Sequence, residues 1–335
     1  MTLGLLALLG GVTAAASTVG IRQQYLLGGP GGWDYLTVDP DAKRLFIARA
    51  DRVLVVGTTD GALLATIPHT EGVHGVALAP DLGKGFVSDG RADTVTVFDL
   101  KSLATVGTFA VSGHNPDAIL YDAHSRHLFT FNGRSHDITM LDPLTGATLA
   151  TAAAGGKPEF AQADGKGHAF YNIEDTAQLS ELDTATGQRI ATWSLPGCEE
   201  PTGLAIDAAH QRLFSTCGNG ALLVTDAATG RHVATVPIGQ GPDAAAFDPQ
   251  RGLVFSSNGQ DGTLSVIHED DADHYSVVAT VPTQKSARTL ALDPATHRIY
   301  TVAADFDAAP AATAAEPHPR PQVRDGSFRV LVLGE

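Results

Sequence analysis

A chain of 335 residues, 43% hydrophobic and 18% charged, has the composition of a folded globular protein rather than a disordered or fibrous one. Its formal charge of −15 argues against a general nucleic-acid binder, whose affinity rests on neutralising phosphates with Lys and Arg. Acidity of this size reads first as solubility.

Taken in order, the chain begins with Leu3-Gly4-Leu5-Leu6-Ala7-Leu8-Leu9 and then Ala14-Ala15-Ala16. An apolar run followed by small residues has the form of a secretory signal, too short for a membrane anchor. Cleavage near Ala16, removing residues 1–16, is expected to release a periplasmic or extracellular protein with no membrane span. The basic residue that normally opens such a signal is missing, because the first Lys or Arg is Arg22, so the true start is expected further upstream. The even pair Cys198 and Cys217 suits an oxidising compartment. They flank one strand hairpin at the same end, which permits a disulfide; two buried thiols are the alternative.

From residue 23 onward one unit recurs. An apolar strand ends at an acidic position, a polar turn follows, and a second strand carries an aromatic. The acidic position falls at Asp39, Asp122, Asp164, Asp207, Asp248 and Asp293, with Ala79 in the second copy, a spacing of 40 to 45 residues. Seven residues further on stand Phe46, Phe86, Phe129, Phe214, Phe255 and Tyr300, with Phe170 one residue early. Third and fourth strands follow, joined by turns such as Asp142-Pro143-Leu144-Thr145-Gly146 and Asp226-Ala227-Ala228-Thr229-Gly230. An Asp that accepts local backbone hydrogen bonds and a Gly free to take positive φ make that turn. Seven copies at this spacing predict an all-β, seven-bladed β-propeller of four-stranded antiparallel blades, one domain over residues 23–335.

The last copy lacks an ordinary fourth strand, and Gln23-Gln24-Tyr25-Leu26-Leu27 has no blade of its own. The N-terminal segment is therefore expected to complete the last blade and close the ring, hiding both sheet edges. The same copy holds an Ala- and Pro-rich insertion at about 307–325, read as a flexible loop between second and third strands.

Loops leading into the inner strands share one face with loops joining second to third strands. Counting back five residues from each acidic position places Asp34, His74, Asp117, Glu159, Thr202, Asp243 and Arg288 around the channel mouth. A plain structural repeat would repeat one residue there; this one varies it, which points to a site. Capping of backbone amides by the Asp and Glu residues is the alternative. The second loop set adds Asn132, Arg134, Asn172, Glu174 and Asn258 as candidate ligand-binding residues, and Glu199 and Glu200 add carboxylates. So many carboxylates would concentrate cations and raise some pKa values, with Arg49, Arg134 and Arg288 compensating or holding an anionic group. His74, His114 and His136 with Asp117 are the candidate ligands for one divalent or transition-metal ion such as zinc, copper or iron; solvated loop histidines are the alternative.

The Gly/Pro-Asp lead-in, the inner-strand Asp-Pro and the Asp-x-x-Thr-Gly turn together resemble the YVTN β-propeller repeat, and within it the exported YncE-like proteins. The tetrapeptide itself is degenerate: Phe46-Ile47-Ala48-Arg49 and Tyr300-Thr301-Val302-Ala303 stand in its place. The resemblance implies the fold. It does not choose an activity, since related propellers serve as nucleic-acid binders, surface proteins, cofactor-handling factors and lactone hydrolases. No Gly-x-Ser-x-Gly elbow, His-Glu-x-x-His helix or phosphate loop is present. The expected function is a non-catalytic exported protein, monomeric, binding a small molecule or metal ion at its acidic mouth, with an envelope protein as a further partner. A metal-dependent lactonase-like hydrolase and a protein–protein scaffold are the alternatives.

Overall fold

The computed structural model describes residues 19–309 and 321–335. The expected signal segment, 1–16, and the middle of the insertion, 310–320, lie outside the described residues. Seven four-stranded sheets are present, all with neighbouring strands antiparallel. In the first blade Leu36–Asp39 is innermost, followed outward by Arg44–Arg49, Arg52–Gly57 and Leu63–Pro68. The inner strands of blades 2 to 7 are Val73–Ala79, Pro116–Asp122, Pro158–Ala163, Pro201–Asp207, Pro242–Asp248 and Leu290–Asp293.

Second strands are buried almost throughout, because each blade is covered on both faces by its neighbours. Their aromatics fill the space between blades: Phe46 meets Phe98 of blade 2 at 5.5 Å, and Phe131 meets Tyr171 of blade 4 at 5.3 Å between ring centroids. Each fully buried aromatic contributes roughly 2–3 kcal/mol by area. Phe170 pairs with Gln162, two residues before Asp164, as Phe129 pairs with Leu120 two before Asp122. The fourth copy therefore keeps its register through a turn one residue shorter.

The repeated turns are held as their composition requires. Asp142, Asp183 and Asp226 each accept the backbone N–H groups two and three residues on, and the Thr hydroxyl at the third. The closing glycine is needed twice over at Gly230, where φ is +71° and a Cβ would lie 2.0 Å from the Trp193 ring. Cys198 and Cys217 form a disulfide across the first hairpin of blade 5.

Ring closure follows the expected route. Gly20–Leu26 pairs antiparallel with Arg329–Gly334, giving blade 7 its outer strand. Tyr25 donates to the Thr59 carbonyl of blade 1 at 3.1 Å, and the Arg49 guanidinium lies 3.4 Å from the centroid of the Phe328 ring while donating to the Pro30 carbonyl. Arg49 is fully buried, so it fastens the closure rather than facing a ligand. The insertion starts from a paired neck: Phe306 bridges Val323, the Asp307 amide donates to the Gln322 carbonyl, and Arg324 pairs with Asp307 at 2.9 Å.

Removing residues 19–27 would bare the edge of Arg329–Gly334 and open the ring. The truncated protein is expected to melt at least about 5 °C lower and to form higher oligomers on gel filtration, as an unpaired edge strand does.

Candidate functional site at the channel mouth

The seven lead-in positions do converge, and around five of them, from blade 6 through blade 3, the charges alternate. Asp243 of blade 6 accepts from Arg288 of blade 7 at 3.0 Å, and the same guanidinium lies 3.8 Å from Asp34 of blade 1. Asp34 Oδ2 is 2.6 Å from His74 Nδ1 of blade 2, which lies 3.6 Å from Asp117 of blade 3. The sequence of signs is negative, positive, negative, positive, negative. In blade 4, Glu159 pairs with Lys157 at 2.8 Å, and Lys157 also holds Glu174. Thr202 of blade 5 completes the circle, donating to the Pro242 carbonyl at 3.2 Å.

The mouth is therefore charge-compensated rather than an acidic sink, which corrects the reading from composition of the loops. Burial of a carboxylate is tolerated here because each has a cation in reach. Burial pushes Asp243 up to about 7, against the pull of Arg288. Burial also pushes Asp117 and Glu159 up; the charge of Asp117 adds to the rise at Glu159, which Lys157 opposes. For His74 burial acts downward, but the Asp34 hydrogen bond and the Asp117 charge outweigh it and raise the imidazole to about 9. Gly90 passes so close that a Cβ there would lie 2.5 Å from His74 Cδ2.

Two recesses flank this ring. One, about 460 Å³, is lined by Trp33, Asp34, His74, Arg91, Asn115 and Arg134. The other, about 390 Å³, is lined by Glu200, Thr202, Asp243, Gln260, Ser286 and Arg288 among others. Arg91 and Arg134 are exposed, and among the described residues neither has a carboxylate at ion-pairing distance. Beneath the ring Tyr35 and Phe160, from blades 1 and 4, meet edge to face at 4.9 Å, and Tyr35 donates to Glu159 at 3.4 Å. These two rings form the floor of the mouth.

Other expected site residues fall elsewhere. Asn132, Asn172 and Asn258 are fully buried and committed to the scaffold. Asn132 donates to Asp137 and Thr139, and Asn258 to Thr263 and Ser265, at the same offsets of five and seven residues; Asp89 accepts from Thr94 and Thr96 likewise. Asn172 ties blade 4 to blade 5 through the Thr202 and Gly203 carbonyls. The four-residue metal set is not assembled. His114 turns outward to Asp93 at 2.8 Å and His136 is exposed, whereas Asp34, His74 and Asp117 bring ligand atoms within 4.8 Å of one another. His114 and His136 sit at the loop tips, one layer above the residues that reach the axis.

Lys157, Tyr35 and Phe160 were not singled out from the sequence, yet the same register contains them. Seven residues before the acidic positions stand Gly32, Gly72, Asn115, Lys157, Glu200, Gly241 and Ser286; four before them, Tyr35 and Phe160 interrupt a column otherwise of small residues. A large side chain in a column of small ones was the available signal.

No family model matches the chain, and no curated protein aligns with it. Solved structures do. A chain of Kuenenia stuttgartiensis hydrazine synthase superposes with a TM-score of 0.70 at 16% identity, covering 81% of this chain and 92% of its own. The RRP9 WD40 repeats give 0.75 at 12% identity, covering 96% and 98%. A chain of the mitotic checkpoint complex gives 0.75 at 16%, covering 100% and 99%. The likeness shows the fold. The chain is a seven-bladed β-propeller. At such identities nothing about the mouth carries over.

Because Asp243 and His74 hold protons in the folded state that the unfolded chain would release, the fold binds more protons than the unfolded chain across neutral pH. Stability from these groups is complete below their unfolded pKa values and is lost as pH rises through about 7 for Asp243 and about 9 for His74. Melting temperature is expected to fall between about pH 6 and about pH 9.5, and His74→Asn should flatten the upper part of that fall. A melting temperature that climbs with pH over this range would contradict the assignment.

Proposed function

We propose that the protein is a non-catalytic binding protein that takes up a small polar solute with an anionic group at its channel mouth. The observation that carries this reading is the pair Arg91 and Arg134, exposed and without a carboxylate at ion-pairing distance among the described residues, beside the protonated His74 in a recess also lined by Trp33, Asp34 and Asn115. Guanidinium groups not engaged in an ion pair, although the charge of Arg134 is felt at Asp93, supply donors for a carboxylate or phosphate. The Asp34 carboxylate in the same recess would accept from a hydroxyl or ammonium group of the same solute. Walls supplied by three neighbouring blades of a closed ring fix the recess before the ligand arrives, which lowers the cost of binding.

Export belongs to the same proposal. The apolar leader at 1–16 and the Cys198–Cys217 disulfide support an oxidising, extracytoplasmic setting. The repeat's likeness to YncE-like proteins of the YVTN group supports it too, and an envelope protein remains the partner expected of such a chain.

A second reading rests on Asp34, His74 and Asp117, whose ligand atoms lie within 4.8 Å of one another. Two carboxylates and one imidazole suit a divalent transition metal. Metal there would have to displace the proton from His74 and loosen its 2.6 Å contact with Asp34.

The proposal is tested by a thermal-shift panel of small mono- and dicarboxylates and inorganic phosphate, followed by calorimetry on any that stabilise. At least one member is expected to raise the melting temperature. The double variant Arg91→Ala, Arg134→Ala should weaken its binding by about 10- to 100-fold, as loss of charge-assisted bonds does, with the ligand-free melting temperature unchanged. A panel without a stabilising anion, combined with one zinc bound per chain and lost in His74→Ala, would replace this reading with the metal one.

A further inference from the structure

The channel does not end at the Tyr35–Phe160 floor. Below it lies a second cavity of about 480 Å³, lined towards the opposite face by residues that lead into the turns after the inner strands. Its walls are the residues just before the repeated acidic positions: Val38, Leu78, Tyr121, Ile206, Phe247 and Leu292 form its outer circle. No charged side chain lines it, although the chain carries 22 Lys and Arg and 37 Asp and Glu residues. These apolar side chains are only half-buried, so they are not the packed core, which lies between the blades.

Polar capacity in this cavity is sparse but defined. Thr37 is committed to the Val76 carbonyl and the Tyr121 hydroxyl to Asp81. The half-buried Gln162 amide has no hydrogen-bond partner among the described residues and stands next to the last residue of the blade 4 inner strand. Each inner strand is also a sheet edge with a single paired neighbour, so backbone donors and acceptors face the axis. Apolar walls with a few fixed polar groups, within a rigid frame of a few hundred Å³, are the physical description of a small-molecule site.

We propose that this lower half of the channel is a second binding site, for a small molecule with an uncharged apolar body and one hydrogen-bonding group held by Gln162. The shape selects such an occupant over a protein surface, because the cavity is enclosed by the inner strands and constricted where Tyr35 and Phe160 meet. It selects against an ion or a charged solute, because nothing at its walls would compensate a charge. The upper recesses and the lower cavity have no lining residue in common, so the lower site stands whether or not the mouth binds an anion.

The probe is the neutral fluorophore N-phenyl-1-naphthylamine, titrated into the full chain, with decan-1-ol as competitor. Saturable binding of about one probe per chain, displaced by decanol, is expected. Ala246→Trp, which puts an indole into the cavity from the blade 6 inner strand, should weaken binding at least about tenfold. Leu292→Lys, at the rim, should do the same if Ala246→Trp does not fold; circular dichroism and melting temperature establish which variants are folded. Leu64→Ser with Val106→Ser removes outer-strand side chains that are 52% and 58% exposed and should leave binding unchanged. No saturable binding, or binding lost with the outer-strand pair and kept in the folded cavity variants, would overturn the proposal.

Discussion

Face-to-face packing of one blade's buried second strand on the next blade is the constraint from which everything else in this molecule follows. A four-stranded sheet with apolar residues on both faces, such as Phe46 on Arg44–Arg49 or Phe129 on His127–Asn132, has no stable existence alone. It needs a neighbour on each side, and only a closed ring gives every sheet two. Closure therefore cannot be an accessory. The chain meets it by lending Gly20–Leu26 to blade 7 and by setting Arg49 against Phe328 at the seam. Charge is buried at that seam at a cost, and burial lowers the Arg49 guanidinium to about 10. The cost is offset by the carbonyls of the N-terminal loop and by the aromatic face beneath it.

Once the ring is closed, the repeat acts as a positioning device. Except in blade 2, which has Ala79 there, the turn after the inner strand is fixed by an Asp accepting from its own backbone, seen at Asp122, Asp207, Asp248 and Asp293. With that end fixed, the residue five positions earlier must arrive at the axis. Seven blades deliver seven side chains to one circle without any of them being needed for folding in the same way. Selection of residue type at those positions is then free to make a site, and the alternation Asp243, Arg288, Asp34, His74, Asp117 is what has been built. Local rules make the scaffold and departures from them make the mouth.

This division explains what could be read from the amino-acid sequence. Blade number, strand order, the closing strand and the mouth circle follow from a register that recurs seven times, so each is legible from spacing. The shortened turn at Asp164 was legible too, because Phe170 arrives one residue early. The Asn residues at 132, 172 and 258 were misread because sequence position gives the face of the sheet but not the depth. The amides of Asn132 and Asn258 reach the third strand of their own blade, where Thr139 and Ser265 await them, and that of Asn172 reaches blade 5, before any of them reaches solvent. The charge state of the mouth was misread for a related reason. Counting carboxylates leaves out Lys157, which lies two residues outside the counted column and yet neutralises Glu159.

The Tyr35–Phe160 contact gives the channel a polarity that neither the repeat nor the charge count contains. Above it, the ring carboxylates Asp34, Asp117, Glu159 and Asp243 each have a cation within reach; below it, the walls are mostly apolar and carry no charged side chain. Two aromatic side chains can hold that boundary because Gly75, Ala118, Gly203 and Ala244 leave room for them in the same column. The hydroxyl of Tyr35 reaches the Glu159 carboxylate on the polar side while its ring walls the apolar side. Burial raises the Tyr35 hydroxyl well above its ordinary range, with the charge of Asp117 adding to it, so the phenol stays a donor at any physiological pH. A neutral donor facing upward and a hydrocarbon ring facing downward is the simplest way to separate two solvents within one channel.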